Sequence, residues 1–388
     1  MIRVAFVINF KKNSWLGGYN YFLNLFQFIK KYYSSKITIV ILTNNKEPLI
    51  RDKILSKFDI IQTNLFSNSN LFIRLANKLL IIIFGRSLIL DFFFKKNKVS
   101  ILSHSGFLGR NSEVLSFPWF PDFQEIHYSK NFSRWQILMR RINLFLSAKN
   151  CTKIIISSNS VKDDLKKIDY FAYKKSYVLK HANKVISFRD ILPLDKIKKK
   201  YNFKKKFFFL PNHYWVHKNH ILVLKALLLA DQTNSFEILS SGHTFDHRNQ
   251  SYFKSILNFI KINKLKKRYK ILGVIPFEDM CSLMYYSAAV INPSKSEGWG
   301  NSVEQANLIG KRVLLSDIPV HVEQKKNNYF YFNKDNPRSL FNLMIKILKK
   351  KNKTKKQISY EKNILNNEKE ERFFVKNYMN LLLKCKNY

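Results

Sequence analysis

Short runs of β-branched and aromatic residues alternate with helix-length amphipathic stretches along this chain, and that alternation leaves few folds open. Residues 2–10 read as a first strand, followed by Trp15-Leu16-Gly17-Gly18. Phe22, Leu25, Phe26 and Ile29 then recur at helical spacing, and Ile37-Thr38-Ile39-Val40-Ile41-Leu42 is a buried-strand run. Strand, glycine loop, helix and strand make a βαβ opening, which requires a mostly parallel sheet covered by helices. Strand runs follow at 101–102, 153–157 and 177–179, with helix-like stretches at 70–84, 132–147 and 160–168. A lysine-rich segment, 183–206, contains Pro193 and reads as a linker. The pattern then resumes, with strands at 207–210, 236–239, 271–273, 288–292 and 312–315 and helices at 219–229, 278–286 and 303–309. No alternation is expected beyond residue 315, and 338–388 reads as a lysine-rich helical tail. A length of 388 residues suits two domains. They are expected at 1–185 and 186–388, facing across a cleft, with ligands at the carboxyl ends of the strands.

Charge narrows the partners. Lys and Arg number 68 against 26 Asp and Glu, a formal net charge of +42. Nucleic acid, an anionic membrane surface and a codon bias toward Lys, Asn, Ile, Phe and Tyr each account for such an excess. The lysines are spread along the whole chain rather than gathered in one stripe with interleaved aromatics, so nucleic acid is not expected as a partner. Cys151, Cys281 and Cys385 form no C-x-x-C pair, which argues against a zinc ribbon or a disulfide framework and suits a reducing compartment. The first residues lack a basic n-region and a cleavage site, so no signal peptide is expected. Arg86 and Asp91 interrupt the longest apolar stretch, 79–94, so no spanning helix is expected either. Residues 71–84 group Arg74, Asn77 and Lys78 and precede Lys95, Lys96 and Lys98. They read either as a basic segment lying in a bilayer interface or as a buried core helix. The expected location is cytoplasmic, peripheral at the inner face of a membrane.

The densest motif is Asn292-Pro293-Ser294-Lys295-Ser296-Glu297-Gly298-Trp299-Gly300-Asn301-Ser302-Val303-Glu304. It follows a strand and opens a helix. Gly298 and Gly300 would let the backbone approach a ligand and take positive φ. The helix start at Asn301, Ser302 and Val303 offers amide donors to a diphosphate. Glu297 would accept from sugar hydroxyls and Glu304 from a ribose diol. The alternative is a capping box, with Asn301 as N-cap and Glu304 satisfying helix donors without any ligand.

This stretch resembles the Glu-x-Gly signature of family 4 of the retaining glycosyltransferases, which have the GT-B fold of two Rossmann-like domains. Most members separate the two glutamates by seven residues; Glu297 and Glu304 have six between them, a form that resembles a subgroup of polysaccharide-assembly transferases. The stretch Gly310-Lys311-Arg312-Val313-Leu314-Leu315-Ser316-Asp317-Ile318-Pro319-Val320-His321-Val322-Glu323-Gln324 resembles the same subgroup. The similarity covers most of the second half of the chain and is looser over the first.

The resemblance implies roles for three more segments. In Leu210-Pro211-Asn212-His213-Tyr214-Trp215-Val216-His217-Lys218, Lys218 matches a donor-diphosphate lysine, and His213 falls where its basic partner, usually arginine, stands. Zinc held by His213, His217 and His220, or plain surface histidines, are the alternatives. Gly17-Gly18 corresponds to a loop bordering the donor phosphate or acceptor; a tight turn is the alternative. The segment 117–128 resembles the subgroup's Pro-Asp-Phe-Gln element and would place Asp122 or His127 at the reacting sugar or acceptor, against the alternative of an aromatic loop packed on its own domain. No P-loop and no Asp-x-Asp occurs, so no metal or other cofactor is expected, and Lys218 with the helix start would carry the leaving-group charge. The expected function is transfer of a sugar from a nucleotide-sugar donor to a saccharide acceptor, lipid-linked in surface-polysaccharide assembly. A nucleotide-sugar epimerase of the same fold and a nucleic-acid-binding protein are the rival readings.

Overall fold

The computed structural model describes residues 1–10, 15–67, 70–184, 186, 190–230, 236–246, 248–349 and 356–386, with the side chains of 16, 74, 356–366 and 386 left outside that description. The chain forms two compact α/β units. The first comprises Met1–Phe123, Arg134–Ala182 and Lys369–Tyr388; the second comprises Gln124–Ser133 and Asn183–Glu368.

In the first unit the strands are β1 (Ile2–Val7), β2 (Ile37–Thr43), β3 (Asp59–Gln62), β4 (Ile101–Ser103), β5 (Leu115–Phe117), β6 (Trp119–Phe120), β7 (Ile154–Ile156) and β8 (Ser176–Val178). A parallel five-stranded sheet has the order β3-β2-β1-β4-β5, and β6-β7-β8 form a parallel three-stranded sheet. Pro118 separates β5 from β6, since it has no N–H to give to a ladder, though its carbonyl still accepts from Ile155 N at 2.8 Å. Helix Leu16–Tyr33 lays Phe22, Leu25, Phe26 and Ile29 on this sheet. Gly17 and Gly18 therefore belong to the first helical turn, not to a loop or a tight turn, and the Trp15 ring folds over Gly18, where a Cβ would meet it at 2.4 Å.

The lysine-rich tail was expected with the second domain. Its last part, Lys369–Tyr388, instead packs in the first unit. Phe374, Val375, Tyr378 and Leu382 form a helical stripe buried in the first core, Glu371 pairs with Lys31 at 3.0 Å, and Tyr378 donates to Ser103 Oγ at 2.8 Å. An apolar stripe announces a helix but not which sheet it covers.

In the second unit the strands are β9 (Lys206–Leu210), β10 (Phe236–Ser240), β11 (Tyr269–Ile271), β12 (Val290–Asn292), β13 (Val313–Ser316) and β14 (Tyr329–Phe332). All are parallel in the order β11-β10-β9-β12-β13-β14. Two expectations fail here. Alternation continues beyond residue 315, through β14 and helix Pro337–Lys349, because Tyr329 and Phe332 bury a short strand hidden in sequence by its Lys and Asn flanks. The expected linker also contains a helix, Leu194–Tyr201, held down by buried Ile197. The strand order reverses between β9 and β12. In such sheets the loops leaving the carboxyl ends of the strands on either side of the reversal border the usual ligand position.

Candidate active site

Both strands at this reversal end in loops that are stitched together. Lys295 N–H donates to His217 O at 2.8 Å. Asn219, in left-handed conformation with φ 54, donates from Nδ2 to Pro293 O at 3.2 Å and to Lys334 O at 3.0 Å. Asn212 Nδ2 reaches Asn292 Oδ1 at 3.4 Å. The loop after β10 joins through Gly242, whose φ of 147 and approach to Asn212 O, 2.6 Å from where a Cβ would stand, admit no side chain.

This stitching sets Lys218 against Glu297, with Nζ 2.5 Å from Oε1. The same carboxylate oxygen accepts from Ser294 Oγ at 2.7 Å and from Asn292 Nδ2 at 3.5 Å. Burial would raise the Glu297 pKa, but the Lys218 ammonium and the bonds from Lys218 and Ser294 outweigh it, and the carboxyl is held below its usual range. Glu297 is thus a fixed carboxylate, while Lys218 retains donor capacity beyond the ion pair.

The histidines around the pair are uncharged at neutral pH. Burial, with Lys218 nearby, pushes His213 down to about 4, and its Nδ1 accepts from His243 N–H at 3.0 Å. His213 is therefore not the second cation the sequence suggested; it can offer an anion only its Nε2–H. Burial lowers His321 to about 4; its Nδ1 bonds Ser316 O at 2.9 Å, and its buried Nε2 has no hydrogen-bond partner. His217 is buried and lowered well below its ordinary value. His220 stacks on Tyr214 and bonds Asn212 O at 3.2 Å. Among the described residues no three His, Cys, Asp or Glu side chains group to hold a metal, so the zinc alternative for His213, His217 and His220 fails.

Helix Asn301–Leu308 begins directly after this pair. Its N-cap is Gly300, with φ −94 and no side chain to cap with. That register excludes the capping box: Asn301 is the first helical residue and Glu304 the fourth. Glu304 instead accepts from Gln324 Nε2 at 2.9 Å, and Gln324 Oε1 is buried without a partner. Neither Gly298 nor Gly300 has the positive φ expected of it; at Gly300 small size matters, since a Cβ there would meet Val303 Cγ2 at 2.8 Å. Trp299, Ser302 and Val303 complete this turn.

Sequence reasoning missed Asn219, His321 and Gln324 as site residues, and Arg248. Arg248 stacks 5.0 Å from the Trp215 ring centroid, pairs with Asp246 at 3.0 Å and donates to Gln124 Oε1 at 2.6 Å. No spacing rule connects residues this distant in sequence. Of the other predicted residues, Gly17, Gly18 and Asp122 lie in the first unit. His127, itself exposed, ends the short helix Gln124–His127, which packs with the second, so the structure separates the pair Asp122 and His127 into different units.

Comparison with known proteins agrees with this geometry. Residues 194–364 match the family model described as glycosyl transferases group 1. The O-antigen chain mannosyltransferase RfbU of Salmonella typhimurium is 26% identical over 219 residues, 56% of this chain and 56% of that protein, so the chain spans about half the length of this curated relative. In fold, the chain resembles Anabaena HepE, solved with UDP and glucose, at a TM-score of 0.71 and 13% identity, covering 98% of this chain and 99% of that one. It also resembles WaaG, a glycosyltransferase involved in lipopolysaccharide biosynthesis, at a TM-score of 0.62 and 12% identity, covering 96% and 95%. The second half of the chain thus resembles the glycosyl transferases group 1 family, and the whole chain has the GT-B fold of two Rossmann-like domains seen in these structures.

Proposed function

We propose that this chain is a glycosyltransferase that moves a sugar from a nucleotide-sugar donor to a saccharide acceptor in surface-polysaccharide assembly, with retention at the anomeric carbon. The observation that carries the reading is the largely buried Lys218–Glu297 pair at the strand-order reversal, one turn before a helix N-terminus. A donor diphosphate would lie on the first turn of helix Asn301–Leu308 and draw on Lys218. Charge developing on the leaving phosphate would then meet a cation and fixed amide dipoles that need no reorganisation. Glu297, pinned by Ser294 and Lys218, would hold sugar hydroxyls as the anomeric carbon gains oxocarbenium character. Glu304 would take the ribose diol. No metal is assigned to this step. Asp122 or His127 would face the acceptor, for which a lipid-linked saccharide at the inner face of a membrane fits the net charge of +42. RfbU's description as an O-antigen mannosyltransferase and WaaG's role in lipopolysaccharide biosynthesis support the pathway class.

Thermal shift against UDP-, GDP- and ADP-sugars, without and then with Mg²⁺, tests the donor. A ligand at a hundred times its Kd should add about 2.7 kcal/mol of stability. A shift with one nucleotide, unchanged by Mg²⁺, is expected. No shift with any of them would remove the donor assignment.

A further inference from the structure

The first unit carries a helical hairpin whose outer face is apolar. Helix Leu71–Phe84 is capped by Asn70, which accepts Ile73 N–H at 3.3 Å, and ends at Gly85 with φ 71. Helix Leu88–Lys96 follows, capped by Ser87. The two are pinned together, since Ser87 Oγ donates to buried Asn77 Oδ1 at 2.5 Å. Their turn is anchored, since Asn111 donates to Phe84 O at 3.0 Å and to Gly85 O at 2.9 Å. Ile81, Leu90 and Phe94 face inward and are buried. Outward stand Phe72, 82% exposed, and Phe92, 71% exposed, with Leu75, Leu79, Ile83 and Leu88 also exposed. The hairpin is a fixed part of the fold, so this face is not a core surface that has yet to close. The alternative of a buried core helix holds only for its inner side.

We infer that this hairpin face docks the protein on an anionic lipid bilayer. Charge complementarity selects the occupant. Residues 71–98 include Arg74, Lys78, Arg86, Lys95, Lys96 and Lys98 against one acid, Asp91, which is turned to accept from Ser112 Oγ at 2.8 Å. The described side chains of Arg86, Lys95, Lys96 and Lys98 are exposed, so cations border the apolar face. Anionic headgroups would neutralise them while the aromatic and aliphatic tips enter the acyl boundary. A second copy would bring the same cations face to face across a twofold axis, and the repulsion would oppose closure. Among the described residues no helix is long and apolar enough to cross a membrane, so the contact is interfacial.

Sedimentation of the full chain with vesicles tests this without reading turnover, so its outcome is independent of the proposed transfer. Vesicles of phosphatidylcholine with phosphatidylglycerol are compared with pure phosphatidylcholine, for wild type and the double variant Phe72→Ser/Phe92→Ser. Both side chains are exposed, and an unchanged melting midpoint verifies folding. The wild type should prefer anionic vesicles, and the variant should partition at least about tenfold less, given the apolar area removed. The double change Lys95→Glu/Lys96→Glu should weaken the same binding. Wild-type partitioning by the serine variant would overturn the assignment, because binding would then be general adhesion of a basic protein. So would a wild-type dimer that the serine variant dissolves, with no binding to either vesicle.

Discussion

The two units place their first and fourth strands side by side in the same way, yet fill the ends of those strands with opposite chemistry. In the second unit the crevice between β9 and β12 holds an ion pair, Lys218–Glu297, with a helix N-terminus behind it. In the first, the corresponding ends of β1 and β4 carry rings. Tyr21 stacks on Trp119 at 4.4 Å, Trp119 on Trp15 at 5.5 Å, and Tyr21 OH meets His104 Nε2 at 2.6 Å. Burial pushes His104 down to about 3, so this imidazole is neutral at physiological pH. One topology thus carries an ion pair at one reversal and, among the described residues, stacked rings at the other. Strand order fixes where a ligand can sit, and side chains decide which.

The largest expected effect lies on the charged side. Glu297→Gln removes the counter-charge of Lys218 and the anchor that holds its ammonium in place. Turnover at saturating donor should fall by about a hundredfold or more, as when a preorganised electrostatic group is lost. Stability should fall as well, by about 3 kcal/mol, because a mostly buried ammonium is left unpaired. Denaturant titration separates the two effects. Wild-type turnover from the folded variant would mean that the ion pair is only a structural clasp, and the contrast between the two crevices would lose its functional meaning.

A middle-sized effect is expected on the aromatic side. Trp119→Ala removes the ring between Trp15 and Tyr21 and the bond from its Nε1 to Ser157 Oγ at 3.3 Å. Because Trp119 is only partly buried, the stability loss should be about 2–3 kcal/mol, at the low end for such truncations. The nucleotide-sugar thermal shift should keep its wild-type size. A shift lost together with the stability would show that donor binding depends on the first unit, which breaks the division of labour.

Much of this was legible beforehand, and the omissions have physical causes. Buried parallel strands such as Ile37–Thr43 and Phe236–Ser240 are continuous apolar runs, and Lys218, Glu297 and Glu304 lie in local motifs that a sequence displays. What stayed hidden depends on contacts between distant residues. The left-handed Asn219 that stitches two loops, Gln324 on Glu304, and Tyr378 reaching Ser103 from the far end of the chain leave no local pattern. The capping-box reading of Glu304 turned on one residue of register, because a helix starting at Asn301 rather than after it moves Glu304 from the third helical position to the fourth. That burial lowers the pKa of His213 was not legible either, because burial is a property of the fold rather than of the residue.

The smallest effect distinguishes the two roles left for Glu304. As a purely structural group it serves Gln324; as a ligand group it accepts from a ribose diol. Glu304→Gln preserves the shape and can still accept from Gln324 Nε2, so the melting midpoint should hardly move. It removes the negative charge, and charge-assisted hydrogen bonds are about twice as strong as neutral ones. Nucleotide affinity should therefore drop about tenfold at unchanged stability, with kcat nearly intact, because the diol is bound equally in the ground and transition states. Unchanged affinity would assign Glu304 to Gln324 alone and leave the second-unit crevice with the Lys218–Glu297 pair as its acidic and basic machinery. A fall in kcat with constant affinity would place Glu304 nearer the reacting bond than the ribose, and the boundary between the sugar and nucleotide ends of the site would have to move toward Gly300.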